Sequence, residues 1–326
     1  MNGKVFMNNI MVSINCITYN HEKFIADALD SFIMQKVDFD YEILIHDDAS
    51  TDKTADIIRM YEEKYPSLIN AIYQSENIYS KGVKTCVYNQ MRARGKYIAI
   101  CEGDDYWTDP YKLQKQVDYM ENHPSSSLCV HAGYRVNENK ELLKKHVRPN
   151  MGDKEFSIHE IISSGGGLFV TSSMLYVREF GKNRPHFYEV SPVCDYPLMI
   201  FFALQGSVHY IDEYMSVYRV GVEGSWSDRT FSDTEKTVKH FEGTLEMLDE
   251  LNRYTNNEFI DSIEIRKNQV RFNLNLIQGK FDALKTSQFN RYYIKLSVSE
   301  KLSISIRQYF PGLHKRLKQA KGKWVT

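Results

Sequence analysis

The chain has 326 residues, of which 42% are hydrophobic and 25% are charged, and its formal net charge is −1. A chain of this length and composition can bury a full core, so we expect a globular protein with one large domain and an appendage. No apolar run reaches the roughly 18 to 20 positions that a membrane-spanning helix needs, and the N-terminus has no signal-peptide core, which argues against an integral membrane protein and predicts a cytoplasmic one.

Short apolar strands alternate with helical patterns in the first third of the chain. The strands are predicted over 12–18, 41–46, 69–74 and 96–101. Helical patterns follow over about 22–35, from Thr51, near 82–93 and over 111–122. This alternation indicates an α/β fold with a mostly parallel sheet that is covered by helices on both faces. Ligands of such sheets bind beyond the carboxyl ends of the strands, where three of these strands end in polar or acidic clusters.

The pattern changes after residue 122. Shorter predicted strands, including 208–211 and 215–220, are separated by loops and by one helix near 195–205, which indicates a mixed α+β half. From about Thr230 onward the sequence predicts helices alone, so we expect a helical appendage there.

The strongest local signal is Asp104-Asp105 in the segment EGDDYW, directly after an apolar strand. Two adjacent carboxylates at a strand end suit a hard cation that prefers oxygen ligands. Neighbouring side chains of a strand point in different directions, so one carboxylate can bind a metal while the other meets a ribose hydroxyl. Aspartate pairs also cap helices and shape turns, so the motif alone leaves a structural role open.

Two further polar clusters end predicted strands. In HDDASTD (46–52), one carboxylate could accept the imide N–H of uracil or thymine, whereas cytosine offers no N–H at that ring position. Ser50, Thr51 and Asp52 are interpreted as helix N-cap candidates. Thr18-Tyr19-Asn20 ends the first strand and offers backbone groups and an aromatic face to a base.

Three blocks of the chain together resemble the family-two glycosyltransferases with the GT-A fold. The blocks are ITYNHEKFIADALDSFIMQ, EILIHDDASTDKTADII and GKYIAICEGDDYWTDPYKLQKQVDYM, and their order and spacing agree with the family. The resemblance covers roughly residues 11–220. It implies a GT-A domain over 1–229, with a nucleotide-binding half over about 11–125 and an acceptor half over 126–229. Residues 230–326, a helical region with a basic tail, fall outside it.

The resemblance also implies roles for single residues. Asp48 would bind the uracil ring, Tyr19 would lie along it, and Asp104 would approach the ribose. Asp105, in the position of the family's DxD motif, would bind Mn²⁺ or Mg²⁺. Thr18 and Asn20 are the remaining nucleotide-binding candidates.

The catalytic base of the family lies at a later helix start, usually in an acidic pair, and the matching position is Asp195 in SPVCDYPLMIFF. The chain departs from the family by having Cys194 before it, and Asp195 is also a candidate helix N-cap. A single carboxylate can deprotonate an acceptor hydroxyl as it attacks C1 opposite the leaving nucleotide, which inverts the anomeric centre. The resemblance therefore implies an inverting hexosyltransferase of polysaccharide biosynthesis that uses a UDP-sugar and a glycan or lipid-linked acceptor.

Several other segments leave their roles open. The glycines of 163–167 let a backbone approach a ligand closely but equally suit a surface loop. Arg219 could reach diphosphate oxygens, and the loop over 221–229 could close over a donor. The five cysteines form no CxxC pair, so most are interpreted as small buried hydrophobic residues.

The end of the chain is basic, because residues 301–326 contain seven Lys or Arg and no acid. Apolar residues among these cations suit an anionic membrane surface, which would make the protein peripheral at the inner face of the cell membrane, but a solvated tail is equally open. A nucleic-acid site is not expected, since the basicity is confined to one tail. The helical region could also form a homodimer.

Three alternatives compete with the transferase. A sugar-nucleotide pyrophosphorylase would need a glycine-rich loop where this chain has TYNHEKF. A phosphoacceptor signalling domain would need a shorter chain and leaves Asp195 without a role. A non-catalytic sugar- or nucleotide-binding scaffold on the same fold stays open, although Asp48, Asp104, Asp105 and Asp195 are all retained.

Overall fold

A computed structural model of the chain describes residues 10–310. The described residues pack into two compact units. Within the described residues, the first unit contains 10–189 and 193–225, and the second contains 190–192 and 226–310.

The first unit opens with alternating strands and helices. They are β1 (Val12–Thr18), α1 (Ile25–Ile33), β2 (Tyr41–Asp47), α2 (Thr54–Lys64), β3 (Ile69–Tyr73), α3 (Cys86–Arg92), β4 (Tyr97–Ile100), β5 (Tyr106–Trp107) and α4 (Lys112–Asn122). The four predicted strands are confirmed to within one residue at each end. The first helix begins three residues later than the predicted Glu22, because the backbone turns at His21, whose carbonyl accepts the N–H groups of Phe24 and Ile25.

The remaining elements of this part are β6 (Ser126–Val136), β7 (Lys154–Phe156), α5 (Ile158–Ser164), β8 (Leu175–Val177), α6 (His186–Val190), α7 (Asp195–Ala203) and β9 (Ser207–Arg219). The prediction of two separate strands over 208–211 and 215–220 was wrong, because β9 is continuous. Its register against β6 passes from Ile211, opposite His131, to Tyr214, opposite Ala132. The bulge thus leaves two polar residues unpaired with β6, which interrupts the apolar pattern without ending the strand.

All nine strands of the described chain form one mixed sheet in the order β3-β2-β1-β4-β8-β6-β9-β5, and β7 pairs with β9. The first four strands in this order are parallel, as the α/β pattern predicts. β8 then lies antiparallel between β4 and β6. The predicted α/β fold is confirmed, with the parallel arrangement concentrated where the strand ends are polar.

The central strand β1 is buried on both faces. Val12, Ile14 and Cys16 on one face are fully buried and belong to the main apolar cluster, which includes α1. The other face carries Ser13 and Asn15, and their side chains are satisfied by hydrogen bonds to Glu42 and Asn89, respectively. Buried polar groups need such partners, so this face fixes how β1, β2 and α3 meet.

The second unit is helical within the described residues. Its helices are α8 (Trp226–Phe231), α9 (Thr234–Tyr254), α10 (Ile260–Ile277), α11 (Asn290–Tyr293) and α12 (Val298–Tyr309). Asp233 caps α9, and Ser297 with Glu300 forms a capping box at α12. The helical region predicted from Thr230 is confirmed as far as residue 310. The predicted basic tail lies outside the described residues from position 311. No helix between residues 10 and 310 is both long and apolar enough to cross a membrane.

Candidate active site

The carboxyl ends of β1, β2 and β4 meet at one edge of the sheet. The carbonyl of Thr18 accepts the backbone N–H of Asp48 at 3.0 Å, and the carbonyl of Ile17 accepts that of Gly103 at 3.0 Å. The central position of β1 in this group therefore brings the three predicted polar clusters together.

Asn20 connects the first two clusters. Its backbone adopts a positive φ of 56°, its N–H donates to the hydroxyl of Ser50 at 2.9 Å, and its side-chain carbonyl accepts the N–H of Thr51 at 2.8 Å. Asn is one of the few residues that tolerate this backbone region. Asp52 accepts the N–H groups of Glu22 and Thr54, and it therefore holds the same two loops together at the start of α2.

Asp48 is buried and organises the chain after β3. Its two carboxylate oxygens accept the backbone N–H groups of Ile78 and Tyr79 at 2.9 and 3.0 Å, and Nε2 of His46 lies 3.9 Å from Oδ1. A carboxylate has about four lone-pair sites, so Asp48 retains the capacity to accept a further N–H. Tyr19, which the sequence places beside the base, is half-buried at the same edge.

Asp104 is partly accessible, with 15% of its side chain exposed. Nε2 of His21 lies 3.9 Å from its carboxylate, and Nδ1 of the same ring is 3.2 Å from the hydroxyl of Thr18. Gly103 lets the end of β4 lie close to Thr18, because a Cβ at position 103 would lie 2.7 Å from the Thr18 hydroxyl oxygen.

Asp105 is 1% exposed. Its Oδ1 accepts the backbone N–H of Arg219 at 2.9 Å, whereas its buried Oδ2 has no hydrogen-bond partner among the described residues. Burial, followed by the charges of Asp104 and Glu102, raises the pKa of this carboxyl well above its ordinary value. An ionised carboxylate in this position needs a positive charge nearby, which the Arg219 guanidinium supplies, and the unpartnered Oδ2 is the atom that would bind a divalent cation. No group of three or more His, Cys, Asp or Glu side chains is arranged as a metal site in residues 10–310.

Arg219 ends β9 beside the aspartate pair. Its guanidinium donates to the carbonyl of Asp104 and pairs with Asp27 of α1, and it lies 4.8 Å from the ring centroids of Phe24 and Tyr106. The side chain is buried. Its terminal nitrogens therefore position the aspartate loop.

Asp195 is the first residue of α7. Burial raises the pKa of its carboxyl, which suits a group that accepts a proton near neutral pH. The glycine segment of residues 163–167 lies against Asp195, because a Cβ on Gly166 would be 3.8 Å from the Asp195 carboxylate. Burial, then Asp104 and Asp195, raise the pKa of Glu102 to about 8, which indicates that the three carboxyls share one electrostatic environment.

Several contributors were missed by the sequence analysis. His21, Asp27 and Glu102 surround the predicted aspartates, and Cys86 lies against Cys194 with the two sulfurs 3.0 Å apart. The adjacency of His21 to the TYN segment and of Glu102 to the aspartate pair was visible in the sequence. The contacts of Asp27 and Cys86 join residues 192 and 108 positions apart, so no local pattern indicates them.

Comparison with known proteins identifies the family. The family model described as glycosyl transferase family 2 matches residues 13–180. The uncharacterized protein Rv1520 of Mycobacterium tuberculosis is 36% identical over 230 residues, which are 69% of this chain and 63% of that protein, so the match spans less than two thirds of that relative. The putative teichuronic acid biosynthesis glycosyltransferase TuaG of Bacillus subtilis is 34% identical over 34% of this chain and 42% of its own length.

Among solved structures, TarS 1-349 of S. aureus in complex with UDP-GlcNAc has a TM-score of 0.59 at 18% identity, and the superposition covers 92% of this chain and 79% of that one. This likeness concerns the fold. The family model covers more than half of the sequence, and the chain therefore belongs to glycosyl transferase family 2.

Proposed function

We propose that this member of glycosyl transferase family 2 is an inverting, metal-dependent hexosyltransferase that moves a sugar from a UDP-sugar to a glycan or lipid-linked oligosaccharide. The observation that carries the proposal is the buried Oδ2 of Asp105, which lacks a partner within residues 10–310 and lies beside Asp104 at the edge of the parallel strands. A cation held there would neutralise the charge that develops on the leaving diphosphate of a sugar donor.

The donor's nucleotide would bind over the ends of β1 and β2. Asp48 would accept the imide N–H of uracil, with Thr18, Tyr19 and Asn20 around the base and Asp104 at the ribose. The buried location of Asp48 and its fixed orientation on the Ile78–Tyr79 backbone support this assignment, since a held carboxylate needs no rearrangement to accept an N–H.

Asp105 would hold Mn²⁺ or Mg²⁺, which neutralises the charge that develops on the leaving diphosphate. Asp195 would remove the proton from the acceptor hydroxyl. Because burial raises the pKa of Asp195, its carboxylate is a stronger base than an exposed aspartate. Attack opposite the leaving nucleotide would invert the anomeric centre.

The acceptor is proposed to be a growing polysaccharide or its lipid-linked precursor, at the inner face of the cell membrane. The name of the relative TuaG, a putative teichuronic acid biosynthesis glycosyltransferase, supports this class of pathway. UDP-glucose, UDP-galactose and their N-acetyl forms are the donors to test first.

The base assignment is tested by Asp195→Asn. We expect turnover of a UDP-sugar to fall by about 100-fold or more, because general-base catalysis contributes roughly that factor, while UDP binding stays nearly unchanged. Turnover is measured from the release of UDP, and UDP binding is measured by calorimetry. The anomeric configuration of the wild-type product, read by NMR, should be opposite to that of the donor. Wild-type turnover in the variant would refute the assignment of the base.

A further inference from the structure

Cys86 and Cys194 differ from the other cysteines of the chain. Cys16, Cys101 and Cys129 are fully buried at 0% exposure, whereas Cys86 and Cys194 are partly accessible. The two sulfur atoms lie 3.0 Å apart. Cys86 is the first residue of α3, and Cys194 directly precedes Asp195 at the start of α7. The pair therefore connects the start of the helix that carries the proposed base to a second helix.

The surroundings of the pair favour a thiolate on Cys86. The hydrogen bond shared with Cys194 lowers the pKa of Cys86 to about 6, and the guanidinium of Arg184 acts in the same direction. The hydroxyl of Tyr188 lies 3.7 Å from the same sulfur. The shared contact and burial raise the pKa of Cys194 above its ordinary value. Of the two thiols, that of Cys86 therefore loses its proton more readily.

Two cations are held close to the pair. The Arg184 guanidinium lies 4.2 Å and the Lys84 ammonium 4.7 Å from the centroid of the Tyr188 ring. Lys84 also donates to the backbone carbonyl of Tyr188. Low-pKa cysteines beside Lys or Arg are the ones that react with oxidants, and a neighbouring second cysteine converts the first product to a disulfide.

We propose that Cys86 and Cys194 form a peroxide-sensitive dithiol whose disulfide displaces Asp195 and switches off the transferase. The effect on turnover rests on the function proposed above, whereas formation of the disulfide does not. The sulfurs need to approach from 3.0 Å to about 2.05 Å, which moves the residue next to Asp195 toward α3.

The chemistry begins with the Cys86 thiolate, which attacks one oxygen of a hydroperoxide. The O–O bond breaks, the alkoxide that leaves takes up a proton from water and departs as an alcohol, and Cys86 becomes a sulfenic acid. Cys194 then attacks the Cys86 sulfur, the S–S bond forms, and the hydroxide that is displaced leaves as water with the proton of Cys194. Two thiols are oxidised by two electrons in total, and the peroxide is reduced. A small dithiol reverses the reaction.

The test uses the full chain and hydrogen peroxide, the simplest hydroperoxide, as the probe. We expect two of the five thiols to be lost. A proteolytic peptide pair joined through Cys86 and Cys194 should appear, with a combined mass lower by two hydrogens. Hydrogen exchange in the first turn of α7 should change at the same time. These three readouts require no turnover, so they decide whether the disulfide forms and displaces α7 even if the transferase assignment fails.

Turnover is measured in parallel. A displacement of about 1 Å at a reacting group lowers the rate by up to about 100-fold, so UDP-sugar turnover should fall by at least about 10-fold on oxidation and return with dithiothreitol. Cys86→Ser and Cys194→Ser are the matched variants, and each should resist inactivation by peroxide. Absence of the Cys86–Cys194 linkage would overturn the proposal, as would a linked protein with unchanged exchange at α7. Full turnover of the linked protein would overturn its regulatory part.

Discussion

The two adjacent aspartates have different environments: the carboxylate of Asp105 is buried, whereas that of Asp104 is partly exposed. The sequence predicts both as site residues, since two carboxylates after an apolar strand suit a cation. The resemblance to the family adds Asp48 and Asp195 to this prediction. What it cannot supply is the partner of each group. Asp48 contacts Ile78 over 30 positions and Asp105 contacts Arg219 over 114, so these bonds depend on the folded topology.

The burial of Asp105 gives a prediction that separates binding from stability. Asp105→Asn should abolish the Mn²⁺ dependence of UDP binding, because an amide is a weaker ligand for a hard cation. It should not lower the free energy of unfolding of the metal-free protein, because it removes a buried carboxylate that has an unpaired oxygen.

Calorimetry and urea unfolding measure the two effects of this substitution. Asp104→Asn is the matched control and should weaken UDP binding while its dependence on Mn²⁺ persists. Unchanged Mn²⁺ dependence in Asp105→Asn would contradict the proposed metal ligand.

At the scale of elements, the first four strands follow from local pattern alone. Their apolar residues are short runs bounded by polar clusters, and parallel βα units place such runs in the sheet centre. The long strand β9 cannot be predicted from local pattern, because its bulge opposite β6 puts Asp212 and Glu213 inside a strand. The position of β8 between β4 and β6 cannot be predicted from local pattern either, because it depends on pairing between distant segments.

The end of β4 packs closely on the end of β1, so adding one methyl group at Gly103 should lower the stability of the protein. Gly103→Ala would place a Cβ 2.7 Å from the Thr18 hydroxyl oxygen. We expect a loss of about 1 to 3 kcal/mol in the free energy of unfolding, as for other overpacked sites, together with weaker UDP binding.

Gly167→Ala is the matched control for this test, because a Cβ there meets nothing within 4 Å. It should change the free energy of unfolding by no more than about 0.5 kcal/mol. Urea unfolding compares the two variants, and equal stabilities would contradict the close approach at Gly103.

At the scale of the whole molecule, the chain consists of two units, and the proposed chemistry lies in the first. The helical nature of the second unit was predictable, because it carries helical periodicity and no strand signals of comparable quality. The role of the second unit was not predictable, because the resemblance to the family ends at about residue 220. The cations of residues 311–326 motivate the proposal that this end of the chain binds an anionic membrane.

A shortened chain tests the membrane proposal. A protein that ends at residue 310 keeps α12, whose Ile304 belongs to the apolar cluster of the second unit. It loses five cations: Lys315, Arg316, Lys318, Lys321 and Lys323. Each cation near an anionic surface contributes about 1 kcal/mol, so binding to anionic vesicles should weaken by at least about 100-fold.

Co-sedimentation measures this binding. A full-length protein with these five cations replaced by Gln is the matched control and should lose binding equally. If the wild-type chain fails to sediment with anionic vesicles, the membrane proposal is refuted.

We propose above all that the edge formed by the ends of β1, β2 and β4 binds a nucleoside diphosphate together with a metal. The most direct measurement is titration calorimetry of the wild-type chain with UDP, dTDP, GDP and CMP, each with and without Mn²⁺. We expect heat of binding for UDP or dTDP that depends on Mn²⁺, and weaker or no binding of GDP and CMP. If no nucleotide binds under any of these conditions, the transferase proposal is contradicted and a sugar-binding scaffold on the same fold becomes the better explanation.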